Sequence, residues 1–300
     1  MTPDQFFAHR RTITLDRGDV AFVDLGSPSD GSAGEAPPAA LFVHGVFLNS
    51  WFWHGVAERV ADLRRCIVVD LPGHGATPVA DHELTLPGLA HLLAELCGKL
   101  GLTAVDVVGN DSGGAISQVF AVNHTSLVRS LALTNCDVHS DLPPDAFAAV
   151  VEAAHAGALA EAVPPLFATP RSVRLPSVLG MGYQDPAAMS DEDLLPYVEA
   201  VGRRAGAAED IQRFLVGLRA DDLVAIEPGL KGLDAPTLLA WGTGDEFFDL
   251  KWARWLRDTI PGATEVVEIP DAKLFWPQER PGELADLLRT FWADEAQTAA

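Results

Sequence analysis

The sequence predicts an α/β fold, in which a mostly parallel sheet of eight strands is flanked by helices and interrupted by one helical insertion. Short β-branched runs alternate with helix-like segments from residue 12 to residue 137. This alternation is typical of a parallel sheet covered by helices. The strand pattern then stops for about ninety residues and resumes twice before the end of the chain.

Six strands are expected before the interruption, over residues 12–16, 19–26, 39–45, 65–73, 104–111 and 128–137. The first two are close enough in sequence to pair as an antiparallel hairpin. Apolar residues at three- and four-residue spacing predict helices over 51–63, 86–100 and 113–124. Residues 27–38 have loop composition, which predicts a mobile connection.

The interruption covers residues 138–230, which are rich in alanine, leucine and glutamate and are predicted to be all helical. Strands resume at 235–242 and 264–270, each followed by a helical pattern. Residues 1–137 and 231–300 therefore form the predicted core. Open α/β sheets bind ligands at the carboxyl edge of the sheet. Because the insertion follows a strand, it is expected to cover that edge as a lid.

Composition limits the classes of partner. With 21 basic and 42 acidic residues, the chain has a net charge of −21, which repels phosphate backbones and anionic lipids. We therefore expect no nucleic acid and no membrane partner. Cys66, Cys97 and Cys136 lack metal-site spacing, and neither a metal nor a cofactor is expected.

Location is inferred from what the sequence lacks. It has no apolar stretch long enough for a signal peptide or a membrane span, which predicts a cytoplasmic protein. A homodimer is left open. The alanine-rich, lysine-poor composition is typical of a gene of high GC content, from which we expect a role in specialised metabolism.

The stretch VVGNDSGGAIS joins an apolar strand to a helix and is the first candidate for a reactive turn. A strained strand-to-helix turn requires small residues where the backbone and the helix pack closely, and Gly109 and Gly113 meet this need. The residue midway between them is Asp111. Ser112 would need a small residue at position 110, which is Asn110. We therefore expect Asp111 as the reactive side chain and Ser112 as a backbone N–H donor.

Three further motifs extend the pattern. His44-Gly45 after the third strand is similar to an oxyanion loop, and DLPGHG at 70–75 is similar to the turn that follows a fourth strand. GTGD at 242–245 resembles a turn that carries a catalytic acid, here Asp245. With these motifs in order, nearly the whole chain resembles the α/β-hydrolase superfamily. The resemblance implies the α/β-hydrolase fold.

An aspartate in the turn resembles the branch of epoxide hydrolases and haloalkane dehalogenases, whose carboxylate attacks carbon and forms an alkyl-enzyme ester. The resemblance implies that backbone N–H groups near Val46, with that of Ser112, face a developing oxyanion. Phe47 stands where many relatives have proline, which is expected to narrow the pocket, and His44 is expected to support the loop by hydrogen bonds. Ser112 replaces the halide-binding tryptophan of dehalogenases, which disfavours halide chemistry.

The base that the family uses is missing. Aligned on the Glu-x-Pro that ends the loop after the last strand, the histidine position holds Leu274. None of the nine histidines lies beyond residue 155, so no shift of alignment restores one. In the family this histidine removes a proton from the water that hydrolyses the ester.

Four interpretations stay open. His139 and Asp137 follow the sixth strand and are candidates to replace the base, since crowded carboxylates raise one another's pKa and one can act as an acid while another acts as a base. Alternatively, Asp111 is itself the base for proton transfer, elimination or rearrangement, with Asp245 as a neighbouring charge. The chain could instead be a binding protein that has lost its chemistry. Asp111 could also merely anchor the helix N-terminus, where negative charge is favoured.

The lid residues bear on the substrate. In epoxide hydrolases, lid phenols protonate the epoxide oxygen, and the only tyrosines here, Tyr183 and Tyr197, both lie in the predicted lid, fourteen residues apart. Trp53 is a further candidate to line the pocket. Large apolar residues in the lid and at the mouth predict a hydrophobic, aromatic or polycyclic substrate: Phe147, Leu166, Phe167, Met181, Phe247, Phe248, Phe275 and Trp276. The expected activity is epoxide opening or a related hydrolysis of such a metabolite.

Overall fold

The computed structural model describes residues 1–26 and 38–298, with side chains described up to residue 293. The predicted loop at 27–38 lies outside the described residues, apart from Pro38. Eight strands form one sheet in the order β1-β2-β4-β3-β5-β6-β7-β8. The strands are β1 (Arg10–Leu15), β2 (Gly18–Leu25), β3 (Ala39–Val43), β4 (Arg65–Val69), β5 (Val105–Asp111), β6 (Val128–Cys136), β7 (Thr237–Gly242) and β8 (Ala263–Ile269).

The pairing confirms the predicted sheet. β1 and β2 form the antiparallel hairpin, β2 is also antiparallel to β4, and the remaining neighbours are parallel. β4 ends at Val69, four residues before the predicted end at residue 73, because the following residues form a turn. In that turn the buried Asp70 carboxylate accepts hydrogen bonds from the backbone N–H groups of Ser50 (2.7 Å) and Ala76 (2.9 Å).

Helices cover the sheet close to where the sequence predicts them. The predicted helix at 51–63 instead begins as a 3-10 turn at Ser50–Trp53, because the Asn49 side chain caps the Trp51 N–H at 3.0 Å. The short α1 is not predicted by the apolar pattern; a capping box between Thr2 and Gln5 starts it. The helices around the core are α1 (Pro3–Phe7), α2 (His54–Val60), α3 (Leu86–Lys99) and α4 (Ser112–Asn123).

Between β6 and β7 the described chain contains helices joined by turns, and its strand-type pairing is limited to an isolated bridge between Val138 and Asp141. It contains α5 (Ala148–His155), α6 (Leu159–Leu166), α7 (Pro170–Val173), α8 (Asp191–Tyr197), a π-helical turn (Val198–Arg203), α9 (Ala207–Gly217), α10 (Ala220–Ala225) and α11 (Glu227–Leu230). After it come α12 (Leu250–Thr259), α13 (Trp276–Glu279) and α14 (Pro281–Thr298). The division into core and lid stays a prediction.

The centre of the sheet forms the core. All residues of β3 and β5 are buried, including Asp106, whose carboxylate accepts hydrogen bonds from Arg64 and Arg129 at the amino end of β5. These ion pairs occupy the amino end of the sheet. The site is expected at the opposite edge, in the loops that follow the carboxyl ends of β3, β5, β6 and β7. No described helix has the length and apolarity needed to cross a membrane.

Candidate active site

The turn between β5 and α4 holds Asp111 in a strained backbone conformation with φ of +57°. Such a conformation costs a non-glycine residue roughly 1–3 kcal/mol and is typical of functional sites. A Cβ at Gly109 would lie 2.5 Å from Ser117 Oγ, and one at Gly113 would lie 2.3 Å from the Val43 carbonyl oxygen. The two glycines therefore allow the approach of helix and sheet that the sharp turn requires.

Two backbone N–H groups face the Asp111 carboxylate. Oδ1 accepts a hydrogen bond of 2.7 Å from the Ser112 N–H, and a backbone hydrogen bond from Val46 also lowers the pKa of this carboxyl. Gly45 lies so close that a Cβ there would be 2.1 Å from Asp111 Oδ2. Donors converging in this way can stabilise negative charge on an oxygen.

His44 supports this loop and is not available as a base. Its Nδ1 donates to the Gly45 carbonyl oxygen at 2.7 Å, and its Nε2 accepts from the Leu71 N–H at 3.0 Å. Burial lowers the pKa of His44 to about 4, so the ring is neutral at pH 7. Both ring nitrogens are occupied by backbone groups.

Asp111 lies within electrostatic reach of two other buried carboxyl groups, those of Asp245 and Asp137. Burial raises the pKa of Asp111 to about 7, and the charge of Asp245 raises it further against the backbone hydrogen bonds. Burial likewise raises the pKa of Asp245 to about 7. Burial, followed by the charge of Asp111, raises the pKa of Asp137 well above its ordinary value. Each of the three carboxyls is therefore more readily protonated than an exposed aspartate.

Asn135, at the end of β6, fixes the orientation of Asp245. Its Nδ2 donates to Asp245 Oδ2 at 2.7 Å, and its Oδ1 accepts from the Gly242 N–H at 2.7 Å. The Phe247 N–H donates to the other oxygen of Asp245 at 2.9 Å. The sequence interpretation missed Asn135; the signal was a lone amide within the apolar run LALTNC.

A cavity of about 300 Å³ opens above Asp111. Its polar lining side chains are Asp111, Ser112, Asp137 and Ser177, and among the described residues no histidine, lysine, arginine or tyrosine lines it. The remaining walls are apolar and include the expected Val46, Phe47, Phe147, Leu166, Phe167, Phe247, Phe248, Leu274 and Phe275. Leu274, which the sequence resemblance aligns with the base of the family, thus contributes an aliphatic side chain to the cavity wall.

The loop that carries Leu274 is tied to the turn by Asn110. The Asn110 Nδ2 donates to the Leu274 carbonyl oxygen at 3.1 Å and to Thr134 Oγ1 at 3.0 Å. The side chain of Leu274 takes no part in this bond. Position 274 is therefore held by its backbone.

Two tryptophans expected at the pocket lie behind its wall. Trp53 is fully buried against Phe42 and Phe52, with ring centroids 5.5 and 4.8 Å away. The Trp276 indole N–H donates to Asn135 Oδ1 at 3.1 Å. Neither contributes to the cavity lining, since both are used to pack and orient the layer beneath it.

The structure does not bring His139 to Asp111. The His139 Nε2 lies 3.1 Å from Glu227 Oε2, and its ring packs against Trp255 at a centroid distance of 4.9 Å. His139 is not among the residues that line the cavity, whereas Asp137 is. Of the two residues expected to replace the base, only the aspartate shares the site.

The tyrosines are also separate from the cavity. Both hydroxyls donate to Gln278 Oε1, that of Tyr183 at 2.8 Å and that of Tyr197 at 2.9 Å. Burial raises the pKa of both phenols well above their ordinary value. With their hydroxyl protons bound to Gln278 and neither ring lining the cavity, the geometry does not support the expected proton-donor role.

Comparisons with known proteins agree with the fold. A family model for the alpha/beta hydrolase fold matches residues 38–273. The cis-3-alkyl-4-alkyloxetan-2-one decarboxylase of Xanthomonas campestris is 25% identical in a match that covers 91% of each chain. Epoxide hydrolase 3 of Xenopus tropicalis is 23% identical in a match that covers 86% of this chain and 72% of its own.

Other similarities are shorter or structural. An uncharacterised protein of Mycobacterium tuberculosis is 32% identical over 98 residues, which cover 33% of this chain and only 29% of that protein. The structure of the epoxide hydrolase CorEH superimposes with a TM-score of 0.73 at 21% identity, over 95% of this chain and 98% of its own. The structural similarity supports the fold. Because the family model spans most of the sequence, the chain belongs to the α/β-hydrolase fold family.

Proposed function

We propose that the protein opens strained oxygen rings, most simply epoxides, in hydrophobic small molecules, with Asp111 as nucleophile and Asp137 as proton carrier. The observation that carries this proposal is that two carboxyl groups line the same apolar cavity. Asp111 and Asp137 both line the cavity, none of the described residues that line it is a cation, and burial raises the pKa of both carboxyls. An ionised and a protonated carboxyl can together perform nucleophilic attack and acid catalysis.

In the first step, an ionised Asp111 oxygen attacks a ring carbon and forms a C–O ester bond. The ring C–O bond breaks, its electron pair stays on the ring oxygen, and that oxygen takes the proton of Asp137. The products are an alkyl-enzyme ester bearing a hydroxyl and an ionised Asp137. None of the described residues that line the cavity is a tyrosine, and for this reason we assign the role of the acid to a carboxyl.

In the second step, water attacks the carbonyl carbon of the ester. The ionised Asp137 takes the proton from this water, and the N–H groups of Val46 and Ser112 stabilise the developing oxyanion. The ester C–O bond then breaks, its electron pair stays on the departing oxygen, and that oxygen takes the second proton of the attacking water. The diol leaves with Asp111 ionised and Asp137 protonated, as at the start. Asp137 thereby performs the two duties that a phenol and a histidine divide between them in the relatives that the sequence resembles.

We also propose that residues 138–230 act as the lid over this site. Support comes from the cavity wall, to which α5 and α6 contribute residues such as Val150, Leu159 and Val163. The exposed lining residues Ala149 and Ser177 lie on the same segment. A substrate would therefore enter between parts of this segment.

The relatives support ring opening but differ in the reaction that their names give for the ring. One is named for epoxide hydrolysis and one, similar over 91% of both chains, for decarboxylation of an oxetanone, which is also a strained oxygen ring. Together with Leu274 at the usual base position, the second relative favours an alternative in which Asp111 promotes ring opening or elimination without water. An inactive binding protein is the third candidate.

A single-turnover experiment in H₂¹⁸O distinguishes these functions. Excess enzyme is mixed with a panel of hydrophobic epoxides and oxetanones, quenched, and analysed as intact protein, peptides and products. The covalent route predicts a transient adduct on Asp111, ¹⁸O in Asp111 after turnover, and an unlabelled first diol. Direct activation of water predicts ¹⁸O in the first diol and none in Asp111.

The variants Asp111→Asn and Asp137→Asn provide matched controls, since each replaces a carboxyl by an amide of equal size. We expect no adduct from the first and a loss of about 10²–10⁴ in the rate of ring opening from the second. Turnover at the wild-type rate in Asp137→Asn would exclude Asp137 as the acid. Neither adduct nor turnover with any epoxide or oxetanone would leave binding as the function.

A further inference from the structure

A chain of ring contacts crosses the cavity wall. Phe47 stacks on Phe167, with centroids 5.5 Å apart and planes at 24°, and meets Phe147 edge-on at 6.2 Å. Phe147 in turn meets Phe247 edge-on at 6.4 Å. We call these four residues the phenylalanine band. All four line the cavity, so the band presents aromatic faces and edges to whatever occupies it.

Phe47 connects the band to the oxyanion loop. Its φ is +62°, a left-handed conformation that favours glycine, and its side chain is nevertheless large and only 9% exposed. The residue before it is Val46, whose backbone N–H bonds to Asp111. The ring contacts of Phe47 therefore help to hold a backbone conformation that also orients this N–H.

The cavity also disfavours negatively charged ligands. Asp111 and Asp137 line it, Asp245 adds its charge to that of Asp111, and no described cation is present at the wall. An anionic ligand would thus face like charges without a partner in a region of low dielectric. An uncharged ligand meets no such cost.

We infer that Phe47 is the specificity-determining residue of this site and that the ligand it selects is an uncharged aryl compound, whose ring packs within the phenylalanine band. Well-oriented aromatic pairs gain free energy beyond the area they bury, enough to change affinity about fivefold. A saturated ring of similar size loses this gain. The inference names the substrate class of the proposed function, but ring recognition itself requires no turnover.

Binding of unreactive diols tests the inference. The probes are 1-phenyl-1,2-ethanediol, 1-cyclohexyl-1,2-ethanediol and the anion mandelate, and dissociation constants are measured by calorimetry or ligand-observed NMR at pH 8. We expect the phenyl diol to bind about fivefold more tightly than the cyclohexyl diol. We expect mandelate to bind more weakly than either. Absence of a phenyl preference, tighter binding of mandelate, or no binding of either diol would overturn the inference.

Phe47→Leu is the decisive variant, because leucine keeps a Cβ and the strained backbone but removes the ring. In this variant the phenyl diol and the cyclohexyl diol should bind with about equal dissociation constants. Leu142→Ala, which shortens an aliphatic lining residue, is the matched control and should weaken both diols equally. Thermal unfolding checks that each variant is folded. Phe167→Leu removes the stacked partner and gives the same test if Phe47→Leu fails to fold. A preference unchanged in the folded variants would refute the role of the band.

Kinetics separate this inference from the proposed function. With an aryl epoxide, Phe47→Leu should raise KM about fivefold, and its kcat should fall less than that of Phe47→Gly, which removes the ring contacts and also frees the backbone. If the proposed function is wrong, the protein will not turn over epoxides but will still prefer the phenyl diol. If this inference is wrong, the protein will turn over epoxides without a preference for aryl rings.

Discussion

Replacing Asp111 by asparagine should stabilise the protein at alkaline pH, because the native state holds this carboxyl where its charge is unfavourable. Burial raises the pKa of Asp111 from 3.8 to about 7. The folded protein therefore binds a proton here more tightly than the unfolded chain does. The free energy of unfolding consequently falls as the pH rises from about 4 to about 7, and the loss is complete above that range.

The magnitude follows from the two pKa values. The difference between 3.8 and about 7 corresponds to about 4 kcal/mol of destabilisation at pH 8. An asparagine avoids this cost at every pH. Its amide N–H₂ would instead oppose the N–H of Val46 or Ser112, which costs about 1 kcal/mol. Asp111→Asn should therefore be about 3 kcal/mol more stable than the wild type at pH 8 and about 0.5 kcal/mol less stable at pH 4, where the unfolded aspartate is already about half ionised.

Urea unfolding followed by tryptophan fluorescence at pH 4, 6 and 8 measures this difference, provided that the transition is two-state. The exposed Asp16 supplies the control, since Asp16→Asn should leave the free energy of unfolding unchanged at each pH. An Asp111→Asn variant that is no more stable than the wild type at pH 8 would refute the reasoning. A gain at pH 8 would identify Asp111 as a residue kept at the expense of stability.

Three further substitutions test the site. Tyr183→Phe removes one hydrogen bond to Gln278 and should lower the free energy of unfolding by about 1 kcal/mol while kcat stays within twofold; a large loss of kcat in a stable variant would instead restore the phenol as a proton donor. Gly45→Ala places a Cβ 2.1 Å from Asp111 Oδ2 and should displace the carboxylate or the Val46 N–H. We expect steady-state kinetics on the folded variant to show a kcat reduced at least about 100-fold. Normal activity would mean that the loop moves freely. Leu274→His inserts a base at the cavity wall and should shorten the lifetime of the Asp111 adduct in quenched-flow mass spectrometry. Burying the polar ring should lower the free energy of unfolding by about 1–3 kcal/mol. An unchanged lifetime would show that ester hydrolysis already has an adequate base.

The fold was predictable because its signals are local. Each strand shows a short apolar run bounded by turn residues, and the order of runs leaves a parallel sheet as the consistent arrangement. The turn at Asp111 was predictable for a similar reason, since the positions of Gly109 and Gly113 can be judged within five residues of sequence. The contacts that a Cβ would make at both glycines give the physical basis of that prediction.

The chemistry of the site was harder to predict, because it depends on contacts between distant residues. The sequence placed Tyr183 and Tyr197 in the helical insertion but gave no sign that Gln278, 95 and 81 residues away, binds both hydroxyls. His139 has the residue type of a base, yet its position beside Glu227 is decided by the packing of α11 and α12. Residue type alone does not determine which side chains meet.

The hydrogen bond from Asn110 to the backbone of Leu274 also bears on how such a site could arise. Because the loop is anchored through a carbonyl oxygen that every amino acid possesses, the side chain at position 274 can be exchanged without dismantling the loop. An ancestor with a histidine there could lose it in one substitution and keep the cavity, the turn and the oxyanion loop intact. The scaffold would then offer selection a preassembled acidic pocket in which new chemistry can be tried at little risk to folding.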